Sequence, residues 1–253
     1  MEKINSMKKL WGKSFEAFTL DWDTIYFDVK SAKVILKEDV CEDERNKLMS
    51  YLNTFDFITI INLGNNYYNN LWIGKETRAF LTDINIQLIK QINNRPIQVD
   101  ESTNVCVGYP RDEHILKIAK KSFIYSRFFN DPWLPEDKAK SIYVHWTECA
   151  FDKPDRYFII TKRQGKIAGY LIFSINLEIY LATIELVAVD DVYKGQNVGK
   201  SLIDELKIFA CMRGIRSVKV GTQIENIIAT KFYNRCGFQY ASCNAVYHYW
   251  PQK

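Results

Sequence analysis

The sequence predicts an α/β fold, a mixed β-sheet with helices on both faces, and three observations support this. From about Val99 onward, short β-branched runs alternate with stretches of helical period. The apolar run Leu186 to Val189 leads into a Gly-containing turn, Lys194-Gly195-Gln196-Asn197-Val198-Gly199, and then into an amphipathic stretch from Lys200 to Met212. A second strand-then-helix pair follows, Ser217 to Gly221 and a helix opened by Asn226 and closed by Gly237-Phe238.

The remaining elements follow in chain order. Thr103 to Val107 reads as a first strand, and Asp112 to Lys121 and Asp137 to Phe151 as two helices. Arg156 to Lys162 and Ile167 to Ile175 form a hairpin across Arg163-Gln164-Gly165-Lys166, which has turn chemistry. Ile179 to Val189 is the fourth strand and Ala245 to Trp250 the last. The first hundred residues stand apart. Trp22 to Leu36 reads as strand-rich, Glu42 to Leu52 as a short helix, and Phe55 to Leu63 as a strand. Gly64 to Asn70 reads as an Asn-rich polar loop, and Arg78 to Thr82 with Asn85 to Gln91 completes the segment. This divides the chain into a smaller α/β domain, 1–98, and a larger one, 99–253, joined near Asn93 to Asp100, where Arg95-Pro96 marks a break. No internal repeat is evident.

Composition narrows the function. The 253 residues are 47% hydrophobic and 25% charged, which suits one or two compact domains. A net charge of +4 without a dense Lys/Arg block disfavours nucleic acid and suits a small anionic ligand. No apolar run is long enough to span a membrane, and the charged N-terminus lacks the apolar core of a secretory signal. The six cysteines form no CxxC pair and no His stands at ligand spacing from them, so no metal is expected. Free thiols then point to a reducing cytoplasm.

The turn has chemistry that suits a phosphate, beside the plainer reading of a Gly-containing turn that only reverses the chain. Backbone N–H groups at a helix N-terminus lack partners and carry partial positive charge. Gly195 and Gly199 carry no Cβ and let an anion approach the backbone, while Lys194 adds a cation. Asn197 is a residue type that tolerates left-handed backbone.

This order, with Asn226, Tyr233 and Gly237 on the second helix, resembles the acyl-CoA-binding core of the GCN5-related N-acetyltransferases (GNAT). The family turn is Arg or Gln, two residues, Gly, one residue, Gly or Ala. It is matched here by Lys194, Asn197 and Gly199, with Lys and Asn as departures. The resemblance implies the GNAT fold, with a mixed, mostly antiparallel sheet, and an acyl-CoA held by Val187, Ala188, Val189, Lys194, Gly195, Gln196, Asn197, Val198, Gly199, Lys200 and Asn226. It also makes Tyr233 the acid that protonates the departing thiolate. Glu185 and His145 are the candidate bases, beside a reading in which ordered water carries the proton.

Three further segments resemble the TDP-fucosamine acetyltransferase group: Leu20 to Val34, Phe123 to Trp146, and Val220 to Trp250 with its Tyr247-His248-Tyr249-Trp250 ending. That group N-acylates nucleotide-linked amino sugars. The resemblance implies acetyl-CoA or 3-hydroxybutyryl-CoA as donor and a dTDP-linked 3-amino or 4-amino dideoxyhexose as acceptor, in surface polysaccharide (O-antigen) biosynthesis. Arg127 would pair with the diphosphate, and Ser126, Trp133 and Tyr143 would line the acceptor site. Members of the group are often dimers, so a homodimer is a further expectation. Two alternatives stand beside this: an acetyltransferase for a peptide, polyamine or antibiotic amine, and a non-catalytic acyl-CoA sensor.

Overall fold

The computed structural model describes residues 9–93 and 99–253. The expected junction near 93–100 falls largely outside them. The elements run β1 (Lys9–Trp11), β2 (Phe15–Thr19), α1 (Asp21–Phe27), β3 (Ser31–Leu36), α2 (Glu42–Leu52), β4 (Phe57–Asn62), α3 (Tyr67–Glu76), β5 (Phe80–Gln91), β6 (Thr103–Val107), α4 (Glu113–Ser122), α5 (Glu136–Ala150), β7 (Tyr157–Arg163), β8 (Lys166–Asn176), β9 (Leu181–Val189), α6 (Val198–Met212), β10 (Ser217–Gln223), α7 (Ile227–Arg235) and β11 (Gln239–Tyr249). The sheet is mixed and mostly antiparallel, flanked by helices; β3–β4 and β9–β10 are parallel pairs. No helix among the described residues is long and apolar enough to cross a membrane.

Two compact units emerge. The first takes residues up to Ile86, Ser126–Ala139 and Ser242–Lys253; the second takes Gln87–Tyr125 and Lys140–Ala241. In the first, strands follow the order β1-β2-β3-β4-β11-β5. Its core joins Phe15, Val34, Leu36, Leu48, Leu52, Ile58 and Ile60 from β2, β3, α2 and β4. In the second the order is β5-β10-β9-β8-β7-β6.

Two expectations for the first unit are corrected. The start of the stretch Trp22 to Leu36, read as strand-rich, falls in α1, which buries Asp23 and Phe27 one turn apart and ends at Asp28 in left-handed backbone (φ 60°). Part of the Asn-rich loop is helix. Asn66 caps α3, its side chain accepting from Asn69 N–H at 3.0 Å. The segments at 78–82 and 85–91 join in one strand, β5. A repeat is also present in element order: apart from α1, which stands between β2 and β3, β1-β2-β3-α2-β4-α3-β5 matches β7-β8-β9-α6-β10-α7-β11, each with a parallel pair bridged by a helix.

A buried polar network closes the first unit. His248 Nδ1 donates to Asp131 Oδ2 at 2.6 Å, with both side chains fully buried. The same carboxylate accepts from Trp250 Nε1 (3.0 Å) and Trp133 N–H (2.9 Å). Burial pushes the Asp131 carboxyl up, but these donors hold it below its ordinary value. Burial lowers the His248 pKa from 6.5 to about 4, against the pull of Asp131, so the ring is neutral at pH 7. The unfolded chain therefore binds the proton first as pH falls. Between pH 6.5 and 4 stability is expected to drop by roughly 3 kcal/mol from this group alone. Urea titrations at pH 7 and pH 4.5 check this. The slope should flatten in His248→Gln, and an unchanged slope would contradict the assignment.

Candidate acyl-CoA site

β9 and β10 part company at one end. Their parallel register runs from Ser217↔Leu181 to Val220↔Ile184 and stops, although β9 continues to Val189 and β10 to Gln223. On its other edge β9 pairs with β8, with Ile172↔Leu186 followed by Phe173↔Ile184, so Glu185 is a bulge. Beyond it, Leu186 to Val189 offer backbone groups to the gap beside β10. The side chains of Leu186 and Ala188 are buried, so the strand presents main chain there, flanked by half-buried Val187 and Val189.

The turn after β9 leads to the N-terminus of α6. Gly195 (φ 78°) and Asn197 (φ 60°, ψ 10°) are left-handed, as the Asn reading requires. No side chain caps α6, so its first N–H groups have no capping acceptor. A Cβ on Gly195 would meet nothing within 4 Å, leaving open space before the turn. Gly199 also has a packing role. A Cβ there would stand 3.1 Å from the Phe232 ring, so its absence seats α7 against α6. Gly169 on β8 acts similarly, since its Cβ would stand 2.8 Å from Val198 at the start of α6. The Lys194 ammonium pairs with Asp191 (2.5 Å), Gln196 Nε2 donates to Val192 O (3.1 Å), and Lys200 pairs with Asp204. Both lysines stay more than half exposed, so neither charge is sealed from an incoming anion.

Asn226 caps α7, its Oδ1 accepting from Ala229 N–H at 3.0 Å. Tyr233 lies seven residues on, 4% exposed, its ring against Phe232 and Phe238. Burial, and secondarily Cys236, push its hydroxyl above the ordinary tyrosine value, so it remains a proton donor at neutral pH.

Residues 121–238 match the model of the acetyltransferase (GNAT) family. The chain carries a GNAT-type acetyltransferase fold. Three similar proteins stand beside it. It is 33% identical over 142 residues to spore coat polysaccharide biosynthesis protein SpsD of Bacillus subtilis, covering 56% of this chain and 48% of that protein. The chain thus spans about half of that relative's length. It is 26% identical over 222 residues to dTDP-fucosamine acetyltransferase of Escherichia coli O6:H1, covering 86% of this chain and 91% of that one. A tandem GNAT protein from the clavulanic acid biosynthesis pathway superposes with a TM-score of 0.59 at 10% identity, over 94% of this chain and 78% of its own length.

Within this acetyltransferase fold the other predicted residues fall in both units. Glu185, in the bulge, is paired with Arg156 at 2.8 Å. His145 lies on α5, its Nε2 3.6 Å from Cys149 Sγ and its Nδ1 4.0 Å from Glu148. Tyr143 is buried, stacked on Phe123 at 4.5 Å; its hydroxyl donates to Tyr125 O (3.1 Å) and accepts from Gln223 Nε2 (3.3 Å). Ser126, Arg127 and Trp133 belong to the first unit. Ser126 is buried and accepts from Phe128 N–H, the Arg127 guanidinium lies 4.1 Å over the Phe128 ring, and Trp133 keeps 40% exposure. Among the described residues no His/Cys/Asp/Glu group is arranged to hold a metal ion.

Gly169, Arg156 and Gln223 are contributors that the sequence reading passed over. Only Gly169 left a signal, a glycine inside an apolar strand. Arg156 and Gln223 acquire their roles through contacts distant in sequence.

Proposed function

We infer that the protein is an acyl-CoA-dependent N-acyltransferase acting on the amino group of a dTDP-linked amino-dideoxyhexose, with an acetyl or 3-hydroxybutyryl donor. The observation that carries the donor is the gap between β9 and β10 beyond Ile184 and Val220, beside the uncapped N-terminus of α6. An extended pantetheine can hydrogen-bond to an open strand edge, and a pyrophosphate suits helix N–H groups. The acceptor rests on likeness over most of both chains to a protein described as dTDP-fucosamine acetyltransferase. The polysaccharide role of the Bacillus subtilis relative agrees with it.

In this reading the amine lone pair attacks the thioester carbonyl carbon directly. A β9 amide between Leu186 and Val189 receives the developing negative charge on the carbonyl oxygen. As the C–S bond breaks, the Tyr233 hydroxyl supplies the proton to sulfur, and the amine loses its own proton. Of the two candidate bases, Glu185 is engaged by the Arg156 guanidinium and His145 by its helix neighbours. Release of that proton to ordered water therefore fits this reading best. Trp133 is the acceptor candidate with the most exposed ring, suited to stacking on a base or sugar face.

A thiol-release assay with mass spectrometry of the product tests the reading. It crosses acetyl-CoA and 3-hydroxybutyryl-CoA with dTDP-linked 3-amino and 4-amino dideoxyhexoses. A product with the added acyl mass is expected for one pairing. Release only with peptide, polyamine or antibiotic amines would move the acceptor assignment there. Binding without turnover on any amine would favour a sensor.

A further inference from the structure

We propose that the N-terminal copy of the repeat is an acetyltransferase half whose cofactor cleft is closed, so that the chain binds one acyl-CoA, at the C-terminal copy only. This rests on the acyl-CoA reading above. The correspondence between the copies extends to detail. β3-α2-β4 repeats the parallel β9-α6-β10 unit, and α3 and α7 both begin at an Asn whose side chain accepts an N–H three residues on, each at 3.0 Å. The likeness to a tandem GNAT protein covers 94% of the chain and so includes both copies.

The copies differ where a cofactor would enter. β9 and β10 separate after four register pairs, whereas β3 and β4 stay paired along their whole length, from Ser31↔Phe57 to Leu36↔Asn62. No open strand edge is left there for a pantetheine. Asparagines then seal the end of the strands. Asn62, fully buried, donates to Asn66 O (2.8 Å) and Asn70 Oδ1 (2.7 Å). Asn69 donates to Asn62 Oδ1 (3.2 Å) and Glu38 O (2.9 Å), and accepts from Val40 N–H (3.1 Å). Asn69 thus holds the turn that would have to admit the pyrophosphate. That turn, Lys37 to Cys41, has no glycine, and α2 opens on Glu42, Asp43 and Glu44. The first turn of α2 thus carries three acidic residues, with the Glu44 carboxylate held by the Lys13 and Ser14 amides, a charge that favours the helix dipole and repels an incoming anion. The first turn of α6 has no acidic residue.

Calorimetric titration of the full chain with acetyl-CoA tests this, together with hydrogen exchange in its presence. The expected stoichiometry is one per chain, with exchange slowed at 185–199 and unchanged at 37–44. Asn197→Asp keeps a residue that tolerates left-handed backbone while placing a negative charge at the α6 end. It should weaken the single binding event by about tenfold or more, the equivalent of about 1.4 kcal/mol. A second binding equivalent, binding unmoved by Asn197→Asp, or protection at 37–44 would overturn the proposal. A chain that takes up no acetyl-CoA would overturn both it and the acyl-CoA reading beneath it.

Discussion

Tyr233→Phe is expected to lower kcat about 10²–10⁴-fold while leaving acetyl-CoA affinity within about twofold. The substitution removes one oxygen. Its ring sits between Phe232 and Phe238, an apolar setting that accepts phenylalanine without rearrangement. Burial keeps the hydroxyl protonated well into the alkaline range, so the wild-type enzyme should not lose this acid near the ordinary tyrosine value of 10. Steady-state kinetics and direct binding on one preparation separate the two readouts. A variant with near-normal turnover would remove Tyr233 from the mechanism. Loss of affinity with unchanged kcat would make it a binding residue.

Asp131→Ala is expected to destabilise the protein by about 3–5 kcal/mol. The carboxylate is fully buried and accepts from the His248 ring, the Trp250 indole and the Trp133 amide. Removing it leaves the buried His248 and Trp250 donors without an acceptor, each costing about 1–3 kcal/mol before relaxation, and frees the part-buried Trp133 amide as well. The aromatic packing of His248 against Phe57 (4.8 Å) and of Trp133 near Trp250 (6.1 Å) limits how far the site can collapse. Asp131→Asn keeps one acceptor oxygen and should cost about half as much. Denaturant midpoints for the three proteins measure the difference. A loss below about 1 kcal/mol for the alanine variant would show that the network adds little.

The second unit was legible because its elements are long and its turns conventional. The helix expected at Asp112 to Lys121 is α4, Glu113–Ser122, with Asp112 as cap, and the 163–166 turn joins β7 to β8. Asn197 stands where the family turn has Gly, and it adopts the left-handed backbone that Asn tolerates. Short elements in the first unit were harder. Trp22, Thr24, Ile25, Tyr26 and Phe27 favour strands by composition, and seven residues are too few for a helical period to assert itself. Asn66 looked like loop because a capping asparagine and a turn asparagine are the same letter. The repeat lies in connectivity and in two capped helices, which no periodicity reveals. The role of Gly199 depends on Phe232, more than thirty positions away, and could come only from the packed fold.

A crystal structure with coenzyme A bound tests the central claim most directly. Pyrophosphate oxygens are expected within hydrogen-bond reach of the N–H groups at Gly195 to Gly199, pantetheine along the open edge of β9 from Glu185 to Val189, and the sulfur about 3–4 Å from the Tyr233 hydroxyl. Coenzyme A bound away from the β9–β10 gap, or a sulfur out of reach of Tyr233, would contradict it.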